Sequence, residues 1–336
     1  MIFVTGGSGM LGSYVLLELL NNGQTVRASK RPQSSLNICH QVFKTFSTLG
    51  NDLFSQIEWV DVDLFNQEDI EEHLSDISEV YHCAAQITNS RNDKFQLIEN
   101  NSQITQNLVD AALNKNISKF CYVSSIAALG NTIDGTLISE KIMWKEQSTN
   151  STYSISKYLS EMIVWRGIAE GLNAVIVNPS VILGIGDWNK GSANLFKKVD
   201  EGLKYYTQGS SGFVAAQDVA KIMYLLMNCE DCFKQNYIIS SENLNFKELF
   251  DKISMALNVK APYIYATPFL TQLAWRLEWL KGKIFRKDVL ITKESARTAH
   301  KILKYDTSKL LEQLDFKYTN IDKTISEIAR IYKTSL

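Results

Sequence analysis

Tyr153 and Lys157 stand four residues apart in Tyr153-Ser154-Ile155-Ser156-Lys157. On a helix that spacing puts a phenol and an ammonium on one face, where both reach the same ligand. The chemistry on offer is proton transfer to or from an oxygen. A phenol with its ordinary pKa of about 10 is a poor acid–base group at neutral pH, and a fixed cation beside it is expected to stabilise the phenolate and lower that value. Such a pair occurs by chance on many exposed helix faces. A third element gives it weight: Val123-Ser124-Ser125-Ile126-Ala127 ends an expected strand upstream, where a serine hydroxyl can bind a carbonyl or alcohol oxygen alongside the tyrosine.

A second constellation opens the chain. Thr5-Gly6-Gly7-Ser8-Gly9-Met10-Leu11-Gly12 follows an apolar run and precedes an amphipathic one. Gly6, Gly9 and Gly12 stand where a tight turn, a close backbone approach to a pyrophosphate and close helix packing each exclude a side chain. The amides from Gly9 through Met10 to Leu11, at the positive end of the helix, are expected to receive the phosphates. About 20 residues on, an acid at the end of the second strand would accept from the adenosine ribose 2′-OH and mark NAD. The chain has Val26-Arg27-Ala28-Ser29-Lys30-Arg31-Pro32 instead. Lys30 and Arg31 sit where a 2′-phosphate places its charge, so the expected cofactor is NADP before NAD. The competing reading is that both merely solvate a loop; Arg27, within the strand, is the weaker candidate for the phosphate.

The elements that must position these groups read as an α/β fold: a Rossmann doubly wound parallel sheet with a smaller, mainly helical C-terminal lobe. Strands are expected at 2–5, 25–29, 57–60, 79–83, 120–124 and 174–178, with a late one at 237–240. Helices are expected at 10–21, 103–114 and 154–170. From Gly184 the texture changes to Gly, Asn and Trp, which marks a loop leaving the sheet. The dinucleotide domain is therefore assigned to 1–182 with 213–241, and the substrate lobe to 183–212 with 242–336, with lobe helices at 246–257, 268–280 and 321–332. The 268–280 helix, with Phe269, Leu273, Trp275 and Trp279, is expected to be a packed lid. It is too short to span a bilayer, and Lys281, Lys283, Arg286 and Lys287 behind it leave an interfacial helix as the alternative.

Taken together, residues 5–12, Asp63-Leu64, His82-Cys83-Ala84-Ala85, Asn101 at the opening of a helix, Ser124-Ser125, Tyr153 with Lys157, and Asn178-Pro179-Ser180-Val181 resemble the extended short-chain dehydrogenase/reductases, nearly end to end. The resemblance implies that Asp63 and Leu64 contact adenine and that Ala84 and Ala85 line the cofactor. It implies further that Pro179, Ser180, Val181 and Ile182 border the nicotinamide, and that Lys157 also grips its ribose. Ser125 is assigned to catalysis with Tyr153 and Lys157, Ser124 to cofactor or core, and Asn101 to a proton-relaying water. Within the family, Ile126-Ala127 replaces the acidic pair of the dehydratases, and residues 209–218 lack the arginine that nucleotide-sugar members use for the diphosphate. The dihydroflavonol-reductase-like and hydroxysteroid-dehydrogenase-like branch is the nearest in look. Two other readings stay open, a nucleoside-diphosphate-sugar epimerase and a non-catalytic dinucleotide sensor; the intact Ser, Tyr and Lys set argues against the sensor.

Composition sets the frame. The 336 residues are 45% hydrophobic and 21% charged with four prolines, which describes a chain that folds throughout. A net charge of −1 gives no reason to expect nucleic acid, so the expected partner is a small molecule. Five scattered cysteines point to reduced thiols, Cys229-Glu230-Asp231-Cys232 included, and to a cytoplasmic setting; no metal site is expected. Met1-Ile2-Phe3-Val4-Thr5 begins a strand at once, leaving no room for an export signal. The family's habit of pairing the helices near Asn107 and Tyr158 implies a homodimer.

Overall fold

The computed structural model describes residues 1–86, 94–132, 136–147, 150–285 and 293–335. The first half runs β1 (Ile2–Thr5), α1 (Met10–Asn21), β2 (Val26–Lys30), α2 (Asn37–Phe46), α3 (Gly50–Ser55), β3 (Glu58–Asp61), α4 (Gln67–His73), β4 (Glu79–His82), α5 (Lys94–Asn114), β5 (Lys119–Val123), α6 (Thr152–Ala169) and β6 (Ala174–Pro179). There follow β7 (Val181–Leu183), α7 (Ala193–Asp200), β8 (Tyr205–Tyr206), β9 (Ser210–Ala215), α8 (Ala216–Met227), β10 (Gln235–Ile239), β11 (Glu242–Asn245), α9 (Phe246–Leu257) and β12 (Ile264–Tyr265). The chain closes with α10 (Pro268–Phe285), α11 (Lys293–Thr298), α12 (Ser308–Gln313) and α13 (Ile321–Thr334).

Seven parallel strands form the main sheet in the order β10-β6-β5-β4-β1-β2-β3. This is the doubly wound Rossmann arrangement. Helices cover both faces, so the central strands can be apolar on both sides; every residue of β6 is buried. One core cluster joins Val15, Leu16 and Leu19 of α1 to Val219 and Met223 of α8, and another joins Leu108 and Val109 of α5 to Val164 of α6. The chain leaves β1 toward β2 on one side and enters β4 on the other, so a crevice opens beyond the carboxyl ends of β1 and β4. A third cluster, with Phe196, Phe213, Leu249, Ile253, Ile325 and Ile328, gathers α7, α9 and α13 on the small sheet β11-β9-β7.

Three expectations change. α5 starts at Lys94 rather than at residue 103, so Asn101 lies inside a helix and not at its opening. Cys229 and Cys232 form a disulfide rather than two thiols: α8 ends at Met227 and a 3₁₀ turn over Glu230–Cys232 brings their Cα atoms within 5.3 Å, inside bridging range. Cys39, Cys83 and Cys121 are free. Finally, Phe269, Leu270, Leu273 and Leu277 of α10 are exposed rather than packed as a lid. Phe269 is 76% exposed, and Leu273 and Trp279 are exposed with it, while Trp275 is half-buried. The inward face of α10 is occupied instead by Thr271, whose Oγ1 lies 3.0 Å from Nε2 of His300. Arg286 and Lys287 behind the helix, and the side chains of Lys281 and Lys283, lie outside the described residues.

Candidate active site

The turn between β1 and α1 explains its glycines one by one. Gly6 has φ +70°, and a Cβ there would sit 2.8 Å from the amide nitrogen of Ala84 beyond β4. A Cβ on Gly12 would stand 2.2 Å from the Gly6 carbonyl oxygen. Gly9 differs: it is exposed, and its nearest neighbour, the Gly6 oxygen, would be 3.3 Å away. Packing thus demands Gly6 and Gly12, whereas at Gly9 the side chain is missing toward open space. α1 carries no side-chain N-cap and no acid in its first turn, so the amides of Met10, Leu11 and Gly12 have no intrahelical partner. An open cradle of amides at the positive end of a helix fits a pyrophosphate. Gly12→Ala is therefore expected to cost about 1–3 kcal/mol of stability in denaturant unfolding. Gly9→Ala should unfold normally yet bind cofactor poorly in a fluorescence titration.

At the far end of β2, Lys30 donates to Asp61 Oδ1 across to β3 at 2.5 Å. Arg31 is exposed, and its side chain has no partner among the described residues. Arg27 is committed to Glu58, Asp76 and the His73 carbonyl oxygen, which removes it from the cofactor. Asp63 accepts from the Phe65 amide, and the half-buried Leu64 accepts at its carbonyl from Asn107 Nδ2. Beyond β4 the Ala84 amide donates to Thr5 Oγ1, and Ala85 is exposed. Pro179 ends β6, Ser180 is buried with its hydroxyl unpartnered among the described residues, and Val181 and Ile182 are half-buried in β7.

The reactive groups converge between β5 and α6. Ser151 caps α6 by accepting from the Ser154 amide at 3.0 Å, which sets Tyr153 in the first helical turn. The positive helix end there favours an oxyanion. Ser125 is buried, accepts from the Ala127 amide at 3.1 Å, and lies close enough to the Tyr153 phenol to act on its pKa. Burial pushes that phenol above its ordinary pKa, and Ser125 partly offsets the rise. This reverses the lowering expected from Lys157. The lysine is turned elsewhere: Nζ donates to the Val123 carbonyl at 2.9 Å and lies 5.3 Å from the centre of the Tyr122 ring. Burial pushes Lys157 down to about 8, opposed by Cys83 and Glu161.

Both Asn101 amide hydrogens are used, donated to the Gln86 carbonyl and to Ser156 Oγ, and its Oδ1 accepts from the Gln86 amide at 2.7 Å. Asn101 ties the segment after β4 to α6, and no amide hydrogen is left over for the expected water relay. Ser124 points into the core, donating to Glu161 Oε2 at 2.5 Å, and Asn178 Nδ2 donates to the same oxygen at 2.8 Å. Glu161 is the residue that the motif reading passed over. It lies four residues beyond Lys157 and eight beyond Tyr153, on the same helix face, and that spacing was its signal. Burial raises its pKa, while the bonds from Ser124, Asn178 and Trp165 hold it down.

Residues 2–239 match the model of the NAD dependent epimerase/dehydratase family. The chain belongs to that family. It is an enzyme of the extended short-chain dehydrogenase/reductase type, NAD(P)-dependent as a class. This epimerase/dehydratase-family chain is 23% identical to a putative dihydroflavonol 4-reductase of Synechocystis over 97% of its own length and 92% of the relative's. Among solved structures it is similar to gox2253, with a TM-score of 0.82 and 24% identity over 100% of this chain and 98% of that one. It is also similar to a Thermus thermophilus UDP-glucose 4-epimerase in complex with NAD, with a TM-score of 0.75 and 18% identity over 100% and 99% of the two chains.

Proposed function

We propose that this family member is an NADP-dependent oxidoreductase acting between a carbonyl and an alcohol on a small, fairly apolar substrate. The observation that carries the reading is the gathering of Ser125, at the end of β5, with Tyr153 and the buried Lys157 on one face of α6. A bound nicotinamide supplies or accepts the hydride. Ser125 orients the substrate oxygen, and Tyr153 gives or takes the proton at that oxygen. Lys157 holds the nicotinamide ribose. Beyond Ser154, whose hydroxyl accepts from Trp144 Nε1 at 3.4 Å, a cavity of about 310 Å³ is lined by Leu129, Ile142, Met143 and Trp144 together with Lys141 and Lys145. Its apolar part suits an apolar substrate. A panel of aldehydes and ketones followed at the NADPH absorbance band tests the reading, and turnover of none of them would remove it.

NADP preference rests on Arg31, because Lys30 already has a carboxylate partner in Asp61. Charge-assisted bonds to a 2′-phosphate are worth about 1.5–3 kcal/mol, so Arg31→Ala should weaken NADPH by roughly tenfold or more and leave NADH nearly unchanged. Equal losses for both, read by nicotinamide fluorescence, make Arg31 a structural residue and end the NADP assignment. Lys30→Ala should show a smaller contrast.

The second reading is epimerisation of a nucleoside-diphosphate sugar, which the family's own name keeps open. Against it, residues 209–213 offer no cation, and all of β9 is buried. Micromolar binding of a uridine-diphosphate sugar in calorimetry would put this reading first. A homodimer through α5 and α6, whose outer faces expose Phe95, Leu159 and Met162, belongs to the same proposal; sedimentation equilibrium decides it.

A further inference from the structure

α10 is an amphipathic helix turned the wrong way for a water-soluble chain. At 100° per residue Phe269, Leu273 and Leu277 fall within about 80° of one another, and Leu270 stands at the edge of that sector. All four are exposed, Phe269 and Leu277 to 76% and 51%. The opposite side faces the protein through Thr271 and Trp275. A stripe of large apolar side chains facing away from the core calls for an occupant that water does not provide.

Charge says which occupant. Between residues 268 and 304 the chain has nine Lys and Arg against three Asp and Glu, within a protein of net charge −1. Of these, Arg276, Lys293, Arg297 and Lys304 are described and exposed. Arg276 lies 4.7 Å over the Trp275 ring, and Trp279 is on the same helix. An apolar stripe flanked by cations is the combination that settles at the boundary of an anionic bilayer. A second copy of this chain suits the stripe less well, because a two-fold contact would set the basic segment against itself. None of the described helices is long and apolar enough to cross a membrane, so the contact is with the surface.

We propose that α10 docks this chain onto anionic phospholipid membranes, lying in the plane of the headgroups with Phe269, Leu270, Leu273 and Leu277 in the acyl boundary. The inference is independent of the substrate and of the NADP assignment.

Flotation of the whole chain with vesicles tests it. Vesicles of phosphatidylcholine with about one-third phosphatidylglycerol should bind at least roughly tenfold more protein than phosphatidylcholine alone, and raised salt should release it. The triple variant Phe269→Ser, Leu273→Ser, Leu277→Ser changes only exposed positions; it should keep its melting temperature and NADPH affinity and lose the vesicles. No binding to either vesicle, or equal binding to both at every salt concentration, overturns the proposal on the wild-type chain alone. So does vesicle binding that the folded triple variant retains. A wild-type dimer that this variant converts to a monomer, without vesicle binding by either, assigns the stripe to self-association instead.

Discussion

Tyr153→Phe is expected to lower turnover by roughly 100- to 10,000-fold, the range that a positioned acid–base group supplies, while cofactor affinity stays within a factor of about two. The ring still packs, and Ser151 still caps α6, so the variant loses one hydroxyl and little else. The direction of its pKa shift adds a sign. Burial raises the phenol, so in the free enzyme it stays protonated throughout the neutral range and is ready to donate. Carbonyl reduction should therefore be nearly level across neutral pH. Alcohol oxidation, which begins with the proton-accepting form, should accelerate as pH rises. Steady-state rates in both directions check this. Turnover by Tyr153→Phe equal to that of the wild type would take the phenol out of the reaction, and oxidation that slows with rising pH would contradict its role as base.

Lys157→Met is expected to lower kcat/KM by about 100- to 1,000-fold, as removal of a preorganised donor does, and to weaken cofactor binding as well. Methionine fills the space of the buried stem, which separates lost charge from lost packing. The wild type should reveal the same group through pH. Lys157 is pushed down to about 8, so the ammonium exists below that pH and is lost above it. Affinity of the free enzyme for NADPH should be level on the acid side and fall on the alkaline side of about 8, and Lys157→Met should abolish that alkaline limb. Glu161 raises the lysine pKa, so Glu161→Gln should move the limb to lower pH while the Tyr153 hydroxyl remains in place. Fluorescence titration from neutral to alkaline pH reads all three proteins. A limb at the same pH in Lys157→Met would assign it to another group.

The cradle and the reactive pair were legible because their constraints are local. A glycine at positive φ beside a helix start, as at Gly6, and two side chains one helical turn apart, as at Tyr153 and Lys157, are fixed by backbone geometry alone. The strands were legible for a related reason, since a strand covered on both faces reads as an apolar run; β1 and the core of β6 fall where that rule puts them. The start of α5 was not legible, because 94–102 carries no apolar repeat strong enough to separate helix from loop.

By itself, then, the sequence determined which backbone turn is open to a phosphate, which helix face holds the phenol and the ammonium, and the parallel layered class of the fold. Only the tertiary structure decided the protonation of those groups, because burial is a property of everything packed around them. It raised Tyr153, lowered Lys157 and drew Glu161 beneath Ser124 and Asn178 from a distant strand. It paired Lys30 with Asp61, left Arg31 without a partner among the described residues and joined Cys229 to Cys232. It also turned α10 outward. A helical wheel shows that an apolar stripe exists, but only the placement of the other elements determines whether that stripe meets a core or the solvent.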